Sequence, residues 1–125
     1  MAKIHVLKNT KDECVVKCYS SDNSDTLDIG LANTVCRSDE TFDANNAIVT
    51  IREIFWGCKK DKQIDITRVA TANTVHGHYY LINSGSYDFV GFVDDVYADK
   101  DIRIIADGPF HVIMKLGKVK GFTKT

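Results

Sequence analysis

Two histidines, His76 and His78, are two residues apart in a run that is typical of a β-strand. Alternate residues of a strand project from one face, so both imidazoles would share a face, as in many sheet-based metal sites. The remaining histidines, His5 and His111, lie near the two ends of the chain, and no third ligand is adjacent. We therefore interpret the pair as an exposed polar face and expect no metal-binding residues. A small hydrolase that depends on His76 or His78 is the competing hypothesis.

Aspartates form two groups that resemble loose oxygen-ligand clusters. They are Asp22 with Asp25, and then Asp94, Asp95, Asp99 and Asp101. Neither group has the D-x-D-x-D-G spacing with a distal glutamate that defines a calcium loop. A glycosidase needs two carboxylates held across a cleft, and nothing in the sequence selects such a pair. We interpret both groups as solvated turns.

Nucleophilic and phosphate-binding motifs are also missing from the sequence. Gly85-Ser86 lacks the G-x-S-x-G pattern, and neither Cys36 nor Cys58 has an adjacent histidine. The glycine-rich signatures of nucleoside triphosphate and dinucleotide binding do not occur. We therefore predict a protein that is not an enzyme, with no catalytic residues, no cofactor-binding residues and no cofactor.

The four cysteines are interpreted as thiols, because no secretion signal places the chain in an oxidising compartment. In a strand the Cα atoms of Cys14 and Cys18 would be roughly 13 Å apart, which is too far for a disulfide. No C-x-x-C spacing suggests zinc. Cys14 and Cys18 are predicted to be small buried side chains that flank Val16 on the inner face of a strand.

Large aromatic side chains offer a possible docking or sugar-stacking face. The candidates are Tyr19, Trp56, Tyr80, Tyr87 and Tyr97. Such rings more often fill a sandwich core, but a carbohydrate-binding module remains an alternative function.

Short β-branched and aromatic runs closed by turn residues recur along the whole chain and decide the fold class. They span residues 4–7, 14–19, 48–56, 63–69, 75–82, 87–93, 101–106 and 110–119. This pattern of short strand-like runs separated by turn residues predicts an all-β fold with little or no helix. We expect one antiparallel β-sandwich, or a partly closed barrel, of about eight strands over residues 1–125. Greek-key and meander connections fit equally well.

Individual segments carry more specific expectations. Residues 48–56 are the best candidate for the central strand, with a bulge or two covered faces, and residues 58–62 and 83–86 are predicted as a hairpin tip and a turn. Residues 32–46 form the longest irregular stretch, either a contact segment or a crossover between sheets, and residues 94–101 an exposed acidic loop.

Charge excludes some partners. Lysine and arginine total 16 against 17 acidic residues, and the net charge of −1 provides no attraction to nucleic acid or to an anionic membrane. The longest apolar runs are far shorter than the roughly 20 residues that cross a bilayer. The N-terminus is charged where a signal peptide would be apolar. We expect a protein made in the cytosol, without nucleic-acid or membrane partners.

Six segments together resemble one family. The sequence KNTKDECVVKCY at residues 8–19, followed by DTLDI at 25–29, looks like the opening of small β-rich virion proteins of tailed phages that infect marine bacteria and cyanobacteria. VTIREIFWG (49–57), IDITR (64–68), DIRI (101–104) and VIMKLGKVKGF (112–122) fit the same pattern. Residues 71–78 and 94–101 match it poorly, and partner choice could differ there.

The resemblance implies a virion structural protein that decorates or cements the capsid by binding the major capsid protein lattice, with no catalytic residues. Other virion subunits and further copies of the chain are possible partners. Residues 32–46, residues 94–101 and the N- and C-terminal strands are the expected contacts. The alternatives are a neck, tail or baseplate component of the same particle and a module that binds host glycans.

Overall fold

The computed structural model describes residues 1–70, 74–91, 93–94 and 96–124. They form eleven strands and one π-helical turn, Leu31–Val35. The strands are β1 (Lys3–Asn9), β2 (Glu13–Ser20), β3 (Asp25–Ile29), β4 (Glu40–Phe42), β5 (Ile48–Cys58), β6 (Gln63–Val69), β7 (Val75–Ile82), β8 (Ser84–Asp88), β9 (Asp101–Ala106), β10 (Phe110–Lys120) and β11 (Phe122–Lys124). The predicted all-β class is confirmed, although the chain has more strands than the eight expected.

Two antiparallel sheets form the body of the molecule. The first has the order β1-β2-β10-β5-β8 and the second the order β3-β9-β6-β7, while β4 and β11 make a small separate pair. The chain passes from one sheet to the other between β2 and β3, between β3 and β5 through β4, and then between β5 and β6, β7 and β8, β8 and β9, and β9 and β10. Of these nine strands, the eight that remain when β1 is left out, in the orders β2-β10-β5-β8 and β3-β9-β6-β7, form a jelly roll, the double Greek-key sandwich, and β1 extends the first sheet at its edge. The structure therefore answers the connectivity question that the sequence left open.

The interior is built from the alternate residues of each strand. Cys14, Val16 and Cys18 are fully buried on β2, as predicted. Strands β9 and β10 bury alternate residues in the same way, and these are Ile102, Ile104 and Ala106 on β9 and Phe110, Val112, Met114 and Leu116 on β10. Removing these aliphatic surfaces from water supplies the main driving force that holds the two layers together.

Strand β5 differs from its prediction in position. The centre of the five-stranded sheet is β10, and β5 lies between β10 and the edge strand β8, so the central assignment is wrong. The expected irregularity is present, because the pairing with β10 shifts by one residue at Arg52. An apolar run of this kind indicates burial, but it does not tell which neighbour a strand takes.

Two predicted turns have other roles. Residues 58–62 join strands of different sheets, so they form a crossover and no hairpin. Residues 84–86 belong to β8, which pairs with β5, and the reversal after β7 is made at Asn83, whose φ is 58°. The strand predicted over 87–93 therefore begins earlier and ends at Asp88, while Phe92 lies outside the described residues. Turn-forming residues mark a change of direction without showing which sheet receives the next strand.

Candidate functional site

A bulge in β7 separates the two candidate metal-binding histidines. Arg68 pairs with His76 and Ile66 with Tyr79, so Gly77 and His78 together oppose one residue of β6. Gly77 has a φ of 66°, the left-handed conformation that such a bulge requires. Paired residues share a sheet face, so His76 lies on the side of the buried Arg68, while His78 is exposed on the other side. The expectation that both rings share one face is wrong.

Three of the four histidines stack on three different tyrosines. His76 stacks on Tyr97 at a ring-centroid distance of 4.7 Å, and His78 stacks on Tyr80 at 5.4 Å. His5 stacks on Tyr19 at 5.6 Å, in the other sheet. Within the described ranges, no three His, Cys, Asp or Glu side chains are grouped closely enough to hold a metal ion.

The acidic segment 94–101 is tied to the body of the protein and is not a free loop. Asp94 accepts a hydrogen bond from the Tyr79 hydroxyl, and Asp101 accepts one from the backbone N–H of Leu31 at 2.9 Å. The carbonyl of Ala98 accepts a bond from Val49 N–H at 3.0 Å. Asp95 lies outside the described residues. The carboxylates of Asp94 and Asp101 therefore hold this segment against the rest of the sandwich.

A buried arginine, Arg68, organises the same region. Its guanidinium donates to the carbonyls of Val49 at 2.7 Å and Lys100 at 2.8 Å. Burial lowers the pKa of Arg68 to about 10, and the nearby Asp94 carboxylate opposes this shift. A cavity of about 10 Å³, enough for one water molecule, lies beside Arg68, Tyr79 and Asp94. The two-residue period from Ile64 and Ile66 points Arg68 inward, a signal that the sequence analysis missed.

The five candidate aromatic rings do not form one platform. Trp56 and Tyr87 are in contact at 5.1 Å, and the Trp56 indole N–H donates to the carbonyl of Ile82 at 2.9 Å. The Tyr79 and Phe89 rings meet edge to face at 5.7 Å. Together with Trp56 and Tyr87 they lie on the side of the sandwich where β7 and β8 form the edges of the two sheets. Tyr80 and Tyr97 stack on different histidines, as described above. Only Trp56 and Tyr87 among the five are brought together.

Two of the contact segments predicted from the sequence, residues 32–46 and the C-terminal strand, meet each other. Strand β4, within residues 32–46, pairs with β11 at the C-terminal end, and the Phe42 and Phe122 rings pack at 5.5 Å. The π-helical turn and β4 also show that this stretch is more regular than expected.

The N-terminal strand β1 forms an open edge of the larger sheet. Among the described residues it pairs with β2 alone, and its outer side faces no strand. Its Val6 and Leu7 side chains are 46% and 56% exposed. The register shifts between Val6 and Lys8, so Leu7 is an extra residue at the edge. Unpaired backbone groups next to exposed aliphatic side chains are suited to accepting a further strand.

The outer face of this sheet also carries a charged network and a groove. Glu13 accepts a hydrogen bond from Lys8 at 2.8 Å, and this bond lowers the pKa of Glu13, which also lies within 4 Å of Lys115 and Arg52. An open groove of about 690 Å³ adjoins Arg52 and Lys115 and is bordered by exposed valines, Val90, Val93 and Val119. The face therefore offers mixed charge beside apolar surface, a composition typical of protein contacts.

Comparison of the chain with protein-family models, curated proteins and solved structures finds no match. No helix in the described part of the chain is long and apolar enough to cross a membrane.

Proposed function

We propose that this chain is a non-enzymatic virion structural protein that decorates a capsid, binds the lattice of the major capsid protein and stabilises it. The fold supports the proposal by analogy, since the jelly roll serves viral shells as well as lectins and enzymes. The resemblance of six sequence segments to small phage virion proteins points in the same direction. Assembly would take place in the host cytoplasm, and the finished protein would reside in the virion.

The open β1 edge is the observation that carries the proposal. Strand β1 exposes Val6 and Leu7 along an unpaired edge, and the edge strand β7 likewise exposes Tyr80 and Ile82. The edge strands β3 and β8 are shorter and carry aspartates, which are Asp25, Asp28 and Asp88. Charged and short edge strands discourage pairing with other chains, and an apolar edge permits it. A strand of a neighbouring subunit could extend the sheet here through main-chain hydrogen bonds.

Multiplicity makes such a contact effective. Many copies that each add one strand can hold a lattice together although every single contact is weak. The groove bordered by Val90, Val93 and Val119 provides a second contact surface on the same sheet.

A charge on the β1 edge tests the proposal. In Leu7→Lys, the ammonium group should block strand addition, and co-sedimentation with purified capsids should fall at least tenfold. Ile82→Lys is the matched control, because Ile82 is 58% exposed on the edge strand β7, and it should bind like the wild type. Equal binding of both variants would refute the assigned edge.

Imaging of intact particles tests the location. Hundreds of copies on the capsid lattice are expected. Rings of six or twelve copies would favour the alternative, a neck, tail or baseplate component. Absence of the chain from particles would contradict the whole proposal.

The host-glycan alternative has one specific observation in its favour. Tyr80, 61% exposed, stacks nearly parallel on His78 and could present a flat surface to a sugar ring. Glycan-array binding that disappears in Tyr80→Ala would support this alternative, and an array without signal would remove it.

A further inference from the structure

Three side chains that no part of the proposed function uses meet where three strands come together, two of them buried and one, Asn9, partly buried. Lys118 lies on β10, Glu40 begins β4, and Asn9 ends β1. The Lys118 side chain is completely buried, and that of Glu40 is 2% exposed. We call Asn9, Glu40 and Lys118 the buried triad.

The contacts of the buried triad are short and directional. The Lys118 Nζ atom lies 2.5 Å from Glu40 Oε1 and 2.9 Å from Asn9 Oδ1. It also donates to the carbonyl of Thr10 at 2.9 Å. The Asn9 Nδ2 group donates to the carbonyl of Val35 at 2.9 Å, which fixes the orientation of the amide. The amine is therefore held next to a carboxamide and a carboxylate at the same time.

The fold encloses this site. The Phe122 ring lies 5.0 Å from Lys118 Nζ, and it packs against Phe42, the last residue of β4. Lys118 continues the inward alternation of Met114 and Leu116 along β10, so its stem enters the core. The side chains of Lys118 and Glu40 are thereby shielded from solvent, Asn9 is partly buried, and each of the three groups comes from a different strand.

An ion pair alone is a weak reason to bury these groups. Removing a lysine and a glutamate from water is expensive, and apolar residues of similar size often stabilise a core equally well or better. A neutral lysine amine is a nucleophile, and the Asn9 carbonyl beside it is an electrophile.

We propose that Lys118 and Asn9 condense spontaneously to an intramolecular isopeptide bond, with Glu40 as the proton carrier. Glu40 takes a proton from the Lys118 ammonium, and the Nζ lone pair then attacks Cγ of Asn9. The Nζ–Cγ bond forms, the Cγ–Nδ2 bond breaks, and Nζ gives up two of its three protons. Glu40 carries one of them to Nδ2, which leaves as ammonia, and the second proton departs with that ammonia as ammonium. No oxidant, cofactor or water is consumed.

The bond would change how the protein carries force. A covalent link from Asn9 to Lys118 closes residues 10–117 into a loop. Tension applied at the two ends of the chain would then pass through the link and would leave the sandwich between them unloaded. This property would suit a component of a shell under internal pressure, but the inference does not depend on the capsid role.

Mass spectrometry of the purified full-length chain tests the proposal. Bond formation should lower the intact mass by about 17 Da, the mass of ammonia. Trypsin should then release residues 9–11 joined to residues 116–120, because it cannot cleave after an acylated Lys118. An intact mass equal to that of the sequence, after prolonged incubation of the folded protein, would overturn the proposal.

Amino-acid substitutions distinguish isopeptide-bond formation from other reactions that release ammonia. Lys118→Arg and Glu40→Gln should each retain the full sequence mass while circular dichroism shows a folded β protein. The matched control Lys8→Arg changes an exposed lysine and should still lose ammonia. Continued loss in Lys118→Arg would indicate cyclisation of an asparagine instead and would refute the bond. Continued bond formation in Glu40→Gln would refute the role of Glu40.

Discussion

Gly121 is the position where one added methyl group should disturb this fold most clearly. It has a φ of 93° in the turn between β10 and β11, and its carbonyl accepts a hydrogen bond from Asp43 N–H at 2.8 Å. A Cβ atom there would lie 2.3 Å from the Cα atom of Ala47. Because that atom belongs to the backbone, no side-chain rotation can relieve the contact.

Gly91 provides the matched comparison for Gly121→Ala. Its φ is 89°, so alanine suffers a similar backbone strain, but a Cβ atom would meet nothing within 4 Å. Gly91→Ala should therefore lower the free energy of unfolding by about 1–2 kcal/mol, the strain of a left-handed conformation. Gly121→Ala should lower it by about 2–5 kcal/mol, because overpacking adds about 1–3 kcal/mol.

Urea denaturation followed by fluorescence of the single tryptophan, Trp56, measures the difference. With a slope of about 1–3 kcal/mol per molar urea, Gly121→Ala should unfold roughly 1 M below Gly91→Ala. Equal midpoints for the two variants would refute the close approach of the β10–β11 turn to Ala47. They would also call into question the covering of the buried triad by β11.

Three further predictions follow from the core and its charges. Burial raises the pKa of Cys14 to about 11 and of Cys18 to about 12, so neither thiol should react with iodoacetamide at neutral pH until the chain unfolds. Hydrogen bonding to Arg103 lowers the pKa of Asp28 below 3.8, so the stabilisation it provides is complete above that pH and is lost as the pH falls through the folded-state pKa. Asp28→Asn should therefore show a smaller loss of stability on acidification than the wild type. Met114→Ala should lower the free energy of unfolding by about 2–5 kcal/mol, and Met114→Leu by less than about 1.5 kcal/mol, as measured in urea.

The sequence alone determined the fold class and most of the inner faces. Alternation places Cys14, Val16 and Cys18 in the interior, and the same period runs through Met114 and Leu116. Local periodicity is sufficient there because a strand with one buried side must repeat every two residues. The same two-residue period, continued from Leu116, also places Lys118 on the inner face. Charged residues are rarely buried, so the pattern alone does not predict a buried lysine there.

Only the tertiary structure decided which strands are neighbours and which distant groups meet. Residues 58–62 look like a hairpin tip and are a crossover, because turn residues do not encode the sheet that receives the next strand. The bulge at Gly77 places His76 and His78 on opposite faces, since one extra residue reverses the alternation. Asn9, Glu40 and Lys118 converge through pairings across more than a hundred residues of chain. Such contacts depend on the packing of whole sheets, which no local pattern contains.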